Sequence, residues 1–266
     1  MPLLATHEWP PHQTDAGAAA PVALLVHGIT GRWRTWWRVG PALAEHGWRV
    51  IAVDLPGHGS SSPIEGTIMR EEAAVELAAT IDALRIAPVD VILGHSLGAA
   101  VLMDLTHQRP ELARRVVLED PPGTDRSLDV PFQEQLQREV HAARECPEDE
   151  IARMLAENAT WLEEDVRQNV DGLQRCDITG ISASIRRGMG SRVSALVAEL
   201  RVPALYLLAA ADGRSAIWGE QRAQLLAGVP SGSRALQLDS GHTIHRDRFD
   251  DYMATVLGWL DEVPRA

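Results

Sequence analysis

Lysine is absent from all 266 residues, so the 25 basic residues are all arginine. No Schiff base to a lysine amine can form, no lysine can anchor a pyridoxal cofactor, and no Walker-type phosphate loop can be completed. Cysteine is scarce: Cys146 and Cys176 are far apart and lack metal-type spacing. No disulfide framework is expected, and a reducing, cytoplasmic setting is. No run approaches the roughly 20 apolar residues of a membrane helix. Residues 1–20 show neither the basic nor the apolar region of a secretory leader. Positive charge is in deficit, with a net charge of −12 spread along the chain. Nucleic acid and anionic membranes are therefore not expected as partners.

The remaining composition is ordinary for a globular protein, with 45% hydrophobic and 23% charged residues. A chain of this length can bury roughly three quarters of its unfolded surface around one core. Short apolar runs read as strands at residues 3–9, 22–26, 48–53, 88–93, 115–120, 202–208 and 234–238. Helical spacing marks residues 40–45, 71–85, 97–108 and 249–260. Strands alternating with helices predict an α/β fold with a mostly parallel sheet covered on both faces. Between residues 123 and 200 the alternation stops. Phe132, Leu136 and Val140 are spaced by four, as are Ile151 and Leu155, and Val166 and Val170. A core of residues 1–122 and 201–266 is thus predicted, with a helical lid of residues 123–200 over its active face.

Gly94-His95-Ser96-Leu97-Gly98 joins a predicted strand to a predicted helix that stops before Arg109-Pro110. Chance produces a Gly-x-Ser-x-Gly match in about one chain in ten of this length, so the setting carries the reading. A serine on a sharp strand-to-helix turn projects its hydroxyl clear of the sheet, and small flanking residues permit the turn.

A serine hydroxyl needs a base, and histidine has the suitable pKa. Ten histidines are present; His242 follows the last strand and falls on the carboxyl edge of a parallel sheet, the edge that also carries Ser96. The acid that orients the imidazole is expected at Asp212, beyond the strand at 202–208, which yields the order Ser96, Asp212, His242. Asp120, also at a strand end, is the alternative acid, with Glu119 beside it. Oxyanion donors are expected from the backbone N–H groups of Leu97 and Ile29, the latter in His27-Gly28-Ile29-Thr30-Gly31.

Taken together, His27-Gly28, Trp36, Asp54-Leu55-Pro56-Gly57-His58-Gly59-Ser60, the Ser96 pentapeptide, Asp212 and Gly241-His242 resemble the α/β-hydrolase superfamily. The likeness is to its lid-bearing branch of small serine esterases and lactonases, and spans residues 22–263. It implies an α/β-hydrolase fold, catalysis by Ser96, His242 and Asp212, an oxyanion hole at Ile29 and Leu97, and neither metal nor organic cofactor. Haloalkane- and epoxide-hydrolysing members carry aspartate where this chain has Ser96, and the hydroxynitrile lyases rely on a lysine it lacks. The expected substrate is a small to medium uncharged carboxylic ester or lactone. Trp33, Trp37, Met154, Trp161 and Met189 are candidates to line its pocket. The alternatives are a lyase, a C–C bond hydrolase or a cofactor-free oxygenase on the same fold, or a ligand receptor that retains the triad.

Overall fold

The computed structural model describes residues 2–12, 19–123, 130–189, 196–212 and 214–262. Among the described residues seven strands form one sheet: β1 (Thr6–Trp9), β2 (Val22–Val26), β3 (Arg49–Val53), β4 (Val91–His95), β5 (Val116–Glu119), β6 (Ala204–Leu208) and β7 (Arg234–Gln237). Their spatial order is β1-β3-β2-β4-β5-β6-β7. β1 lies antiparallel on β3, and every other pair is parallel. The fold is the expected α/β-hydrolase architecture, and one early strand closes the sheet edge.

The five inner strands, β2 to β6, are nearly continuous apolar runs because both faces of the sheet are covered there, whereas the edge strands β1 and β7 are partly exposed. Leu24, Val26, Ile51, Val53 and Ile92 face one side, under α2 (Arg70–Leu84) and α3 (Leu97–Gln108). Ala23, Leu25, Val50, Ala52 and Leu93 face the other, under α1 (Val39–Glu45) and α10 (Phe249–Glu262). The two-residue period of the strand makes this division.

Between β5 and β6 lie α4 (Val130–Glu145), α5 (Pro147–Glu157), α6 (Glu163–Gln174) and α7 (Ile178–Arg187). Their four-residue apolar spacing becomes a separate buried cluster that includes Leu136, Val140, Ile151, Val166 and Val170. Asp177 starts α7 by accepting the N–H of Gly180, and its other oxygen accepts the N–H of Ile64 in the core. At its other side the block touches the loop after β2, where the buried Arg32 is paired with Asp171 of α6. Two further helices, α8 (Gly219–Gly228) and α9 (Ile244–Asp247), follow β6 and β7.

Candidate active site

β4 ends at His95, and Ser96 takes φ 52° and ψ −115° before α3 begins at Leu97. A non-glycine residue rarely adopts such a conformation, which costs on the order of 1–3 kcal/mol. Close packing enforces it. A Cβ on Gly98 would lie 2.3 Å from the Val26 carbonyl oxygen, and one on Gly94 would lie 2.7 Å from the Gly98 backbone. The flanking glycines therefore serve close approach, while the serine itself takes the unusual dihedrals.

Register explains what faces Ser96. His95 of β4 is paired with Glu119 of β5, so one step further along both strands puts Asp120 beside Ser96. Asp120 is wholly buried, and its carboxylate collects four donors. Oδ2 accepts from His242 Nδ1 at 2.7 Å and from the Ala216 N–H at 2.7 Å. Oδ1 accepts from the Ser215 hydroxyl at 2.6 Å and from the Ala209 N–H at 3.0 Å. Burial alone would raise its pKa. The hydrogen bonds from His242, Ser215 and Ala216 outweigh that and hold it below the usual carboxylate value. With Nδ1–H committed to Asp120, the neutral His242 ring has Nε2 as its basic nitrogen. Ser96 and His242 border the same cavity.

Asp212 stands elsewhere, which corrects the expected acid. Its side chain is 57% exposed against 0% for Asp120. It accepts from Arg214 Nε and Nη2 at 2.8–3.0 Å, and Arg214 also reaches Asp239. The reason lies in the path of the chain beyond β6. Leu207 is level with Glu119, Ala209 and Ala210 stay buried, and Asp212 falls several residues beyond the sheet edge on an exposed turn. The signal for Asp120 was its place directly after β5, the strand adjacent to β4.

The cavity measures about 210 Å³, and its apolar lining includes Leu97, Ala100, Pro122, Phe132, Met189 and Ala216. Ile29 and Leu97, the expected oxyanion residues, both border it. Of the five residues proposed for the pocket, Met189 lines it and four do not. Trp33 stacks on His7, with ring centroids 3.7 Å apart. Trp37 donates Nε1–H to Asp165, and Trp161 donates to Asp247. Met154 is buried inside the helical block. Phe132 and Ala100 line it as well; in sequence, apolar residues at helical spacing look alike whether they face a core or a cavity.

The loop with Ile29 is braced by two histidines. The Leu55 N–H donates to His27 Nε2 at 2.9 Å, and His27 Nδ1–H donates to the Gly28 carbonyl at 2.7 Å. The Thr30 N–H donates to His58 Nε2 at 3.3 Å, and His58 Nδ1–H donates to the Pro56 carbonyl. Both rings must be neutral to accept. Burial lowers His27 to about 4 and His58 to about 3. Burial also drives His95 and His245 well below their ordinary 6.5.

These four histidines bind fewer protons in the native state than in the unfolded state once pH drops below 6.5, so native stability falls with falling pH. Glu119, raised by burial to about 7, acts oppositely, its contribution present below its unfolded pKa and lost as pH rises through 7. Four groups outweigh one. Thermal unfolding should occur several degrees lower at pH 5 than at pH 7.5, and an unchanged or higher Tm at pH 5 would contradict the neutral assignment.

Among the described residues, no group of three or more His, Cys, Asp and Glu side chains is arranged to hold a metal ion, and no helix is long and apolar enough to cross a membrane. A family profile described as the alpha/beta hydrolase fold matches residues 21–168. Pyrrolizixenacetamide deacetylase of Xenorhabdus hominickii is 23% identical over 252 residues, which span 92% of this chain and 93% of that protein. The enol-lactonase of Burkholderia xenovorans LB400 has a TM-score of 0.75 at 21% identity, over 97% of this chain and 96% of that one. A thermophilic esterase from Thermogutta terrifontis, with malate bound, also has a TM-score of 0.75 at 21% identity, over 97% and 93%. At such identities the structural likeness carries the fold alone.

Proposed function

Because the chain belongs to the alpha/beta hydrolase fold family, we propose that it is a serine hydrolase that cleaves a small to medium uncharged carboxylic ester or lactone through an acyl-enzyme. One observation carries the reading. The 2.7 Å bond from His242 Nδ1 to the buried Asp120 commits the ring to the tautomer that a base beside Ser96 requires.

In this mechanism Ser96 Oγ attacks the substrate carbonyl carbon as its proton passes to His242 Nε2. The carbonyl π electrons move onto oxygen, where the N–H groups of Leu97 and Ile29 stabilise the charge, each donor worth about a hundred- to a thousandfold in rate. The tetrahedral intermediate collapses, the C–O bond to the alcohol breaks, and His242 returns the proton to the departing oxygen. Water then enters, gives a proton to His242 and attacks the acyl carbon. A second collapse releases the acid and restores Ser96. Asp120 stays ionised throughout and stabilises the imidazolium.

Three features support the substrate class. The cavity is small and largely apolar in its lining. Arg70, which borders it, is paired with the buried Asp104, and Arg214 is paired with Asp212 and Asp239. Carboxylates already engage both cations, which favours an uncharged acyl group. The segment 123–200, with helices α4 to α7, serves as the lid in this reading, since Phe132 and Met189 line the cavity. A reducing cytoplasmic location suits Cys146 and Cys176, both free thiols.

A panel of nitrophenyl esters and lactones tests the proposal. Turnover of at least one uncharged ester or lactone is expected. Tight binding without turnover would favour a receptor, and proton abstraction without hydrolysis would favour a lyase or oxygenase; either result overturns the reading.

A further inference from the structure

Glu119 and Asp120 are consecutive, and each holds one histidine. Asp120 holds His242. Glu119, the last residue of β5, is fully buried and holds His245, three residues beyond His242. Its Oε1 accepts the His245 backbone N–H at 2.9 Å, and His245 Nδ1 lies 2.9 Å from Oε1 and 2.8 Å from Oε2. His245 is shut in by Trp36 and Tyr252, with ring centroids 4.7 and 6.0 Å away. Neither Glu119 nor His245 borders the cavity.

What the pair does hold is the turn that bears His242. The Gly241 N–H donates to Asp247 at 2.7 Å. The His242 carbonyl accepts from His95 Nε2–H at 3.1 Å. The His245 N–H is taken by Glu119. The backbone on both sides of His242, and His242 itself, is thus fixed by side chains from β4, β5 and α9. A buried carboxylate costs several kcal/mol unless its partners compensate. An apolar side chain, such as that of the preceding Leu118, would fill the same strand position without that cost. Burial keeps the His245 ring neutral, and the Glu119 carboxylate oxygens beside Nδ1 select the tautomer in which Nδ1–H donates. Oε1 retains an acceptor lone pair whether or not Oε2 carries a proton.

We infer that Glu119 and His245 form a second carboxylate–histidine pair whose role is positional: it locks the turn 241–245 so that the His242 ring keeps Nδ1 on Asp120 and Nε2 toward the cavity. The pair touches no reacting atom. The inference rests on the serine-hydrolase reading above.

Replacing both side chains together by apolar residues of similar size tests it, because no ionisable side chain is then left buried without its partner. In the double variant Glu119→Met with His245→Leu the backbone N–H of residue 245 loses its acceptor, so Tm should fall by a few degrees with the protein still folded, and kinetics are read well below that Tm. With p-nitrophenyl butyrate, kcat should fall about 10- to 100-fold while KM changes less than about twofold, as expected for a small misplacement of a catalytic group. Glu119→Gln, which keeps Oε1 as acceptor for the His245 N–H, should recover most of the loss. A merely structural role instead predicts an unaltered kcat in a folded double variant, and a value within twofold of wild type would overturn the inference. Should the double variant not fold, His245→Leu alone is read by the same split. Wild-type protein is measured first: no turnover there fails the serine-hydrolase reading, whereas wild-type turnover with an unaffected variant fails only the positional role.

Discussion

Replacing Ser96 by alanine should lower kcat on uncharged esters by on the order of 10⁶, with the fold intact. The size of the effect follows from the chemistry. Without the hydroxyl no acyl-enzyme forms, and His242 and the oxyanion donors are left with water as their nucleophile. A residual rate of about 10³–10⁴ over the uncatalysed reaction should survive from the oxyanion donors and binding. Alanine also removes the hydroxyl while keeping a small Cβ at φ 52°, so the elbow should persist and circular dichroism should be unchanged. Steady-state kinetics with p-nitrophenyl butyrate check the result, and near-normal turnover would eliminate Ser96 as nucleophile.

The second large effect separates two aspartates. Asp120→Asn should reduce kcat about 10⁴-fold, because an amide donates to the imidazole as readily as it accepts and favours the wrong tautomer. The same exchange leaves Ser215 and the Ala209 and Ala216 amides with an acceptor on one atom only, so some loss of stability should accompany it. Asp212→Asn should change kcat by less than about threefold, since Asp212 is exposed and meets Arg214 rather than His242. Parallel kinetics on the two variants at one temperature well below both Tm values decide the matter. Equal losses, or the larger loss at Asp212, would contradict the geometry.

Much of this site was legible in the residues, and Asp212, which the structure places away from His242, shows where legibility ends. Ser96 and His242 stand one and five residues past strands of a parallel sheet. Parallel strands collect their carboxyl ends on one side, so strand signals alone bring the two together. Which aspartate meets His242 depends on the path of the chain past the strand ends, which the residues display only in part. A strand end at Leu208 says that the chain has reached the edge, not that Ala209 and Ala210 carry it onward before Asp212 turns out to solvent. The pairing of His95 with Glu119, which brings Asp120 level with Ser96, is a register, and register is set by packing across the whole sheet.

The pocket was less legible for a related reason. Met154 and Met189 both belong to the buried cluster of the helical block, yet Met189 also lines the cavity and Met154 does not. Helical periodicity identifies an apolar face without saying which neighbour covers it. The tryptophans carried polar handles that found partners: Trp37 met Asp165 and Trp161 met Asp247. A buried indole N–H seeks an acceptor, and these acceptors drew both rings to the seam between block and core.

Covalent labelling with a fluorophosphonate, mapped by peptide mass spectrometry, tests most directly whether Asp120 and His242 activate Ser96. The expected result is one adduct, on Ser96, formed at least about a thousandfold more slowly in Asp120→Asn and at the wild-type rate in Asp212→Asn. An adduct on another residue, no adduct at all, or slowing by the Asp212 exchange instead would contradict it.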